Sequence, residues 1–272
     1  MYSKLFLLLV VRSITLFINT LDLIISVIRL KPSNVLRYAL INSLSTTKLL
    51  NQNFVTRTFL EKNRVLERFK IEKDLRLFID NNLSTETIFW DIGACVGNFS
   101  IYAGAKSGKV YAFEPDGLTY SSLITNIYES NLLNITAYPI ALGADNKISD
   151  FNMQEFKIAN AYNTADTTLG LTGKNFTPEY TQNVCMFTAK KLITEFNFEI
   201  PTSIKLDVDG NEIEVLKGFG DILSNKIIKS IFIELDLENP RSKECDQILL
   251  LNGFTQQLQG VNSNSYNYIY QR

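Results

Sequence analysis

Five acidic residues, Asp91, Glu114, Asp207, Asp209 and Glu212, stand out because each falls at or just past the end of an apolar run. In "WDIGACVGNFS", residues 90–100, Asp91 closes such a run, and Gly93 and Gly97 follow before a helical stretch. Glycine permits a tight turn and lets a ligand approach the backbone closely. The pattern is D-x-G-x-x-x-G. The dinucleotide fingerprint G-x-G-x-x-G would need a glycine where Cys95 stands. Glu114 ends the next apolar run, in "YAFEP", 21 residues after Gly93. A carboxylate about 20 residues on, at the end of a second strand, is placed to accept from the two hydroxyls of a ribose. Alone, the glycine loop would serve equally as a structural turn and Glu114 as a solvated charge. In this order, strand, loop, helix, strand and acid point to a nucleoside ligand.

The third segment is "IKLDVDGNEIEVLKG", residues 204–218. Lys205, Asp207 and Asp209 alternate, so they share one face of an extended strand and its end. Gly210 lets the chain turn. Glu212 then sits in the first turn of a helix, where a carboxylate suits the helix dipole. Three carboxylates here could place a substrate hydroxyl, act as a base or hold a hard cation. For Lys205 an ion pair with a neighbouring carboxylate competes with a catalytic amine, and for Glu212 a helix-start charge competes with a catalytic acid. Glu234 and Asp236 end a later strand as second-rank candidates.

The composition narrows the chemistry. The 272 residues carry a formal net charge of −1 and no histidine. A near-neutral chain gives no electrostatic case for nucleic acid. Without histidine there is neither a Ser-His-Asp or Cys-His mechanism nor a His-ligated zinc. Carboxylates, Lys, Tyr, hydroxyls or a cofactor remain. Cys95, Cys185 and Cys245 form no C-x-x-C pair. They read as free thiols in a reducing compartment, which places the protein in the cytoplasm.

The elements that must position these residues begin near residue 87. Apolar strands at 87–91, 109–114, 134–141, 203–208 and 229–235 alternate with helical stretches at 98–106, 117–130, 190–196, 212–220 and 242–252. Segments 254–258 and 266–270 form a closing hairpin. Strands separated by helical crossovers mean a parallel, doubly wound α/β sheet covered on both faces. Residues 148–153 and 184–188 read as a strand pair around a long polar connection. Within it Tyr162, Phe176 and Tyr180 could stack on sugar rings, so this connection is either an acceptor lid or a variable surface loop. Residues 1–83 read as an N-terminal helical segment ahead of a domain at 84–272. The charge run in 59–80 reads as a solvated helix face. Residues 5–30 are apolar but interrupted by Arg12, Asp22 and Arg29. They suit helices packed on the domain or a partner, or a helix lying on a membrane surface, better than a span.

"WDIGACVGNFSIYAG", "VYAFEPD" and "SIKLDVDGNEIEVLKG" together closely resemble the signature segments of FkbM-type methyltransferases, over roughly residues 88–235. The resemblance implies the Rossmann-like class I methyltransferase fold with its C-terminal antiparallel β-hairpin, and S-adenosylmethionine as cofactor. It implies that Asp91, Gly93 and Gly97 form the cofactor loop, that Glu114 binds the ribose, and that residues 140–142, with Ala141 at their centre, lie near the adenine. Cys95 departs from the asparagine usual there. The implied reaction is O-methylation of a hydroxyl on a sugar, glycan or glycosylated small molecule. Without histidine a carboxylate is the natural base, so Asp207 or Asp209 is expected to orient or deprotonate the acceptor. A divalent cation on Asp207, Asp209 and Glu234 is a weaker version of the same site. The rivals are a non-catalytic methyltransferase-like docking module and a nucleotide-dependent sugar enzyme or oxidoreductase. The missing middle glycine counts against the last.

Overall fold

The computed structural model describes residues 13, 45–49, 52–56, 58–236, 239–259 and 267–272. The apolar segment 5–30 thus lies outside the described residues, apart from Ser13. Among the described residues no helix is long and apolar enough to cross a membrane.

Strands β1 (Ser45–Leu49) and β2 (Gln52–Thr56) form a two-stranded sheet. This differs from the helical reading of that stretch. Thr46, Thr47, Val55 and Thr56 are β-branched and favour extended backbone. Three short helical pieces follow: α1 (Phe59–Asn63), a π-helical turn Arg64–Arg68, and α2 (Phe69–Ile71). Thr58 and Glu61 cap the first piece as a reciprocal capping box. Helix α3 (Lys73–Asn82) leads to the sheet.

The sheet's strands and crossovers come in this order: β3 (Ile88–Ile92), α4 (Asn98–Gly104), β4 (Lys109–Phe113), α5 (Gly117–Ser130), β5 (Ile135–Tyr138), β6 (Ala141–Leu142), β7 (Lys147–Met153), β8 (Thr164–Ala165), β9 (Tyr180–Phe187), α6 (Ala189–Thr194), β10 (Ser203–Leu206), α7 (Glu212–Phe219), β11 (Ser230–Glu234), α8 (Pro240–Leu251), β12 (Thr255–Gln259) and β13 (Asn267–Gln271). Seven of these strands lie in the order β12-β13-β11-β10-β3-β4-β5. β11, β10, β3, β4 and β5 run parallel, while β13 lies antiparallel between β11 and β12. That is the class I methyltransferase sheet with its terminal hairpin, as the resemblance implies.

Side chains alternate across each strand, which splits the core in two. Trp90 and Ile92 of β3 join Ile204 and Leu206 of β10 under α6, α7 and α8. Phe89 faces the other way, with Leu123 of α5, Phe78 of α3 and Phe69. The N-terminal helices therefore complete the domain's second core layer and are not an appendage ahead of it. The compact unit begins at residue 46, not 84. A second sheet, β6-β9-β7-β8, sits beside the first and contains the expected antiparallel pair, β7 with β9.

Candidate active site

The chain order reverses at β3, whose neighbours are β4 on one side and β10 on the other. In an open α/β sheet this switch point opens a crevice at the carboxyl ends of the strands. Asp91 and Lys205 lie opposite each other in register at its floor. Both are almost fully buried, and Lys205 Nζ sits 3.1 Å from Asp91 Oδ1 and 3.5 Å from Asp207 Oδ2. Lys205 also donates to the Gly93 carbonyl at 2.8 Å. Burial alone would lower the Lys205 pKa, but the two aspartates outweigh it and raise the pKa above the ordinary lysine value. The ion-pair reading holds, because the amine is a permanent cation that ties the floor to the glycine loop.

The loop is shaped by sterics. Gly93 has φ +83°, and a Cβ there would lie 1.9 Å from the Asp207 carbonyl oxygen, so β10 and the loop meet only through glycine. The Gly93 and Ala94 amides both donate to the Phe113 carbonyl at the end of β4. Gly97, also left-handed, packs on Leu123 and starts α4.

Glu114, just past β4, is buried. Its two oxygens accept the backbone N–H of Cys95 and of Asp116, each at 2.9 Å. Burial, with Asp116 adding to it, pushes the Glu114 carboxyl up to about 8. Gly93, Cys95, Glu114, Ile140, Ala141, Leu142 and Phe113 line one narrow crevice. Of the five residues expected to bind a cofactor, Gly93, Glu114 and Ala141 face this crevice. Asp91 and Gly97 lie beneath it and set its shape.

A second, wider cavity of about 740 Å³ adjoins the first, and Arg68, Ala161, Asp207 and Asp209 line both. Asp209 stands at the junction with a left-handed backbone, φ 57°, which aspartate tolerates better than most residues. Its Oδ2 accepts the Tyr162 N–H at 2.8 Å. Burial and the neighbouring Asp207 push the Asp209 carboxyl up to about 6. Asp207 goes the other way. Burial opposes its ionisation, but Lys205, a hydrogen bond with Glu234 and Arg68 together carry it below the ordinary range. Glu234, at the end of β11, is pushed well above its ordinary value by burial and by Asp207 and Asp209. One carboxylate oxygen from each of Asp207, Asp209 and Glu234 lies within 4.8 Å of the other two. Asp236 lines neither cavity.

Glu212 turns away from both cavities. Its Oε1 accepts the N–H of Val208 at 3.0 Å and of Gly210 at 3.2 Å, so it braces the turn that presents Asp209. Burial pushes its carboxyl up to about 7.

The long connection between β7 and β9 forms much of the outer wall. Asn160, Ala161 and Asn163 line the crevice, and residues 170–172 and 174–176 line the wider cavity. Asn239 Nδ2 anchors it at the Leu171 carbonyl, 2.8 Å away. Tyr162 and Phe176 face the wider cavity. Tyr180 does not, and packs edge-on against Phe156.

Three residues read as part of a solvated helix face prove otherwise. Arg64 and Arg68 line the crevice, and Arg68 and Glu72 line the wider cavity. Burial and Asp207 push the Glu72 carboxyl up to about 7, and Arg68 Nε lies 3.3 Å from it. The i, i+4 spacing of Arg64, Arg68 and Glu72 puts them on one helix face, but only tertiary packing turns that face inward.

Residues 91–261 match the methyltransferase FkbM domain, well over half of the chain. Over 165 residues the chain is 24% identical to the hexuronic acid methyltransferase AglP of Haloferax volcanii, covering 60% of this chain. The aligned part spans 62% of that relative, less than two thirds of its length. Among solved structures, M. jannaschii TYW2 with AdoMet superposes with a TM-score of 0.46 at 13% identity, over 85% of this chain and 87% of that one. The precorrin-6y C5,15-methyltransferase of Geobacter metallireducens gives 0.44 at 13%, over 73% and 85%. The fold is carried by the strand order, not by these distant superpositions.

Proposed function

The chain belongs to the FkbM methyltransferase family, and we propose that it is an S-adenosylmethionine-dependent O-methyltransferase acting on a hydroxyl of a sugar, a glycan or a glycosylated small molecule. The observation that carries this reading is the junction of two cavities at Asp207 and Asp209.

The crevice fits the cofactor chemically. Glu114 stands at the end of β4 with lone pairs beyond those used by the two amides, suited to ribose hydroxyls. Ile140, Ala141, Leu142, Phe113 and Phe151 make an apolar wall suited to an adenine. When bound there, the cofactor supplies an electrophilic methyl group to an in-line nucleophile, so positioning carries most of the catalysis. Asp209 faces the wider cavity as the base that accepts the acceptor's hydroxyl proton, its affinity for a proton raised by burial. Asp207, kept ionised by Lys205, holds the hydroxyl's orientation. Tyr162 and Phe176 offer faces to a sugar ring.

The relative named above acts on a hexuronic acid, which supports a sugar acceptor. The wider cavity here is lined by Glu72, Asp74, Asp207, Asp209 and Glu234 against Arg68 and Lys174. Glu72 and Glu234 are raised toward the protonated form, but Asp207 stays ionised beside Asp209, and that favours a neutral, hydroxyl-rich ring over a uronate. The test is calorimetric titration with S-adenosylhomocysteine, with NAD as control, followed by methyl transfer to a panel of neutral glycosides and glucuronides. Binding of S-adenosylhomocysteine and transfer to a neutral glycoside is the expected result. Binding of NAD alone would return the oxidoreductase reading.

A further inference from the structure

We propose that Arg64, flanked by Arg68, receives the carboxylate of the cofactor's amino-acid tail. The inference rests on the methyltransferase reading and adds a binding residue from outside the matched domain, which begins at residue 91.

The charge balance of the crevice is the reason. A ligand with an α-carboxylate brings a negative charge toward the glycine loop, on whose side Asp207, held ionised by Lys205, already lines the wall with Asp116 and Asp209. An unpaired carboxylate would be repelled there, and an unpaired buried charge is costly. Lys205 is the nearest cation in sequence to these acids, but its Nζ is committed to Asp91, Asp207 and the Gly93 carbonyl. The cations that line the crevice are Arg64 and Arg68. Arg68 lies against Glu72. Arg64 is fixed differently. Its Nε donates to the Ala159 carbonyl at 2.9 Å, and its own carbonyl accepts from Asn98 Nδ2 at 3.2 Å. Among the described residues no carboxylate lies within ion-pair distance of Arg64, so its guanidinium is oriented by a neutral oxygen, although its charge also lowers the pKa values of the more distant Asp207, Asp209 and Glu72. Its planar fork matches a carboxylate in two parallel hydrogen bonds. Arg64 and Asn98 also line, together with Arg68, Lys205, Glu72 and Asp207, a small recess beside Gly93, Ala94 and Cys95 of the loop. Finally, Arg64–Arg68 is a π-helical turn, a geometry often retained where a helix must aim side chains at a site.

The test compares two ligands that differ in the tail. S-Adenosylhomocysteine carries the amino-acid group, and 5′-methylthioadenosine has the same nucleoside without it. Calorimetry on the full chain should show that Arg64→Gln weakens S-adenosylhomocysteine about tenfold or more, as loss of a charge-assisted pair does, and leaves 5′-methylthioadenosine unchanged. Arg64→Lys keeps the charge without the fork and should fall between. It also keeps the test decisive if Arg64→Gln does not fold. Equal losses for both ligands would overturn the proposal, making Arg64 a brace for the wall at Ala159, and so would no loss for either. If the wild-type protein bound neither ligand, the methyltransferase reading itself would fall, and this proposal with it.

Discussion

Lys205 of β10 and Asp91 of β3 face each other across adjacent parallel strands, with the amine 3.1 Å from the carboxylate and both side chains out of water. The pair locks the floor of the crevice because the same amine holds the Gly93 carbonyl. Lys205→Met should therefore destabilise the protein by about 3–5 kcal/mol, the usual effect of leaving one buried charge uncompensated. Chemical denaturation would measure it. A loss below about 1 kcal/mol would show that Asp91 takes up a proton freely and that the pair is dispensable.

Glu114 is the residue on which the nucleoside reading turns. Glu114→Ala should weaken S-adenosylhomocysteine by about 2 kcal/mol, roughly thirtyfold. Ribose hydroxyls favour the ionised carboxylate, and burial holds the unliganded group near 8. Affinity should consequently fall as the pH drops below about 8 and rise toward a plateau above it. Calorimetry at several pH values would show that slope in the wild type and its absence in the variant.

The succession of strands and helices was legible in the sequence because alternating apolar runs and helical stretches encode it locally. Asp91, Glu114 and Asp207 took the places their strand ends implied. What escaped was non-local. Arg64, Arg68 and Glu72 carry the same pattern as any exposed amphipathic helix, and only the packing of Phe69 on Phe99 of α4 and of Phe78 on Phe232 of β11 turns them to the site. Glu212 was visible as a helix-start acid. That its carboxyl folds back onto Val208 and Gly210 depends on loop dihedrals no spacing reveals. The two-stranded sheet of β1 and β2 did have a signal, its β-branched residues, masked by the charged helical run that follows.

Glu212 offers a sharp separation of bracing from chemistry. One oxygen, Oε1, accepts both loop amides, so Glu212→Gln keeps the brace and should keep turnover, whereas Glu212→Ala should lose both loop order and activity. The folded-state pKa is raised from 4.5 to about 7. A carboxyl raised on folding holds its proton longer in the native state, so its contribution to stability is greatest at low pH and is lost as the pH rises through that window. Glu212→Gln should flatten part of the fall in melting temperature between about pH 4.5 and 7. Loss of turnover in Glu212→Gln with intact stability would instead make the carboxyl a participant in the reaction.

Asp209 is placed to act as the base, and its pKa near 6 predicts how. A base must be deprotonated, so turnover should fall as the pH drops below about 6 and level off above it. Asp209→Asn retains an oxygen for the Tyr162 N–H and a residue type that accepts the left-handed backbone. It should therefore leave S-adenosylhomocysteine affinity within about threefold while lowering turnover about a hundredfold or more. Retained turnover would remove Asp209 from the reaction and leave Asp207 as the candidate.

The trio Asp207, Asp209 and Glu234 invites a comparison between a proton and a cation as the charge that holds it together. Glu234 is raised well above its ordinary value and shares a hydrogen bond with Asp207, while Lys205 balances Asp207 from below. A proton on Glu234 thus relieves the repulsion without any metal. Turnover should survive exhaustive treatment with EDTA and should not rise on adding magnesium or manganese. Glu234→Gln donates the same hydrogen bond to Asp207 and should keep turnover near the wild-type value. A cation held by all three carboxylates predicts the reverse on both counts, because the amide is a much poorer ligand for a hard ion. Chelator-sensitive turnover that magnesium restores, together with an inactive Glu234→Gln, would assign the trio to a metal and make Asp209 a ligand rather than the base.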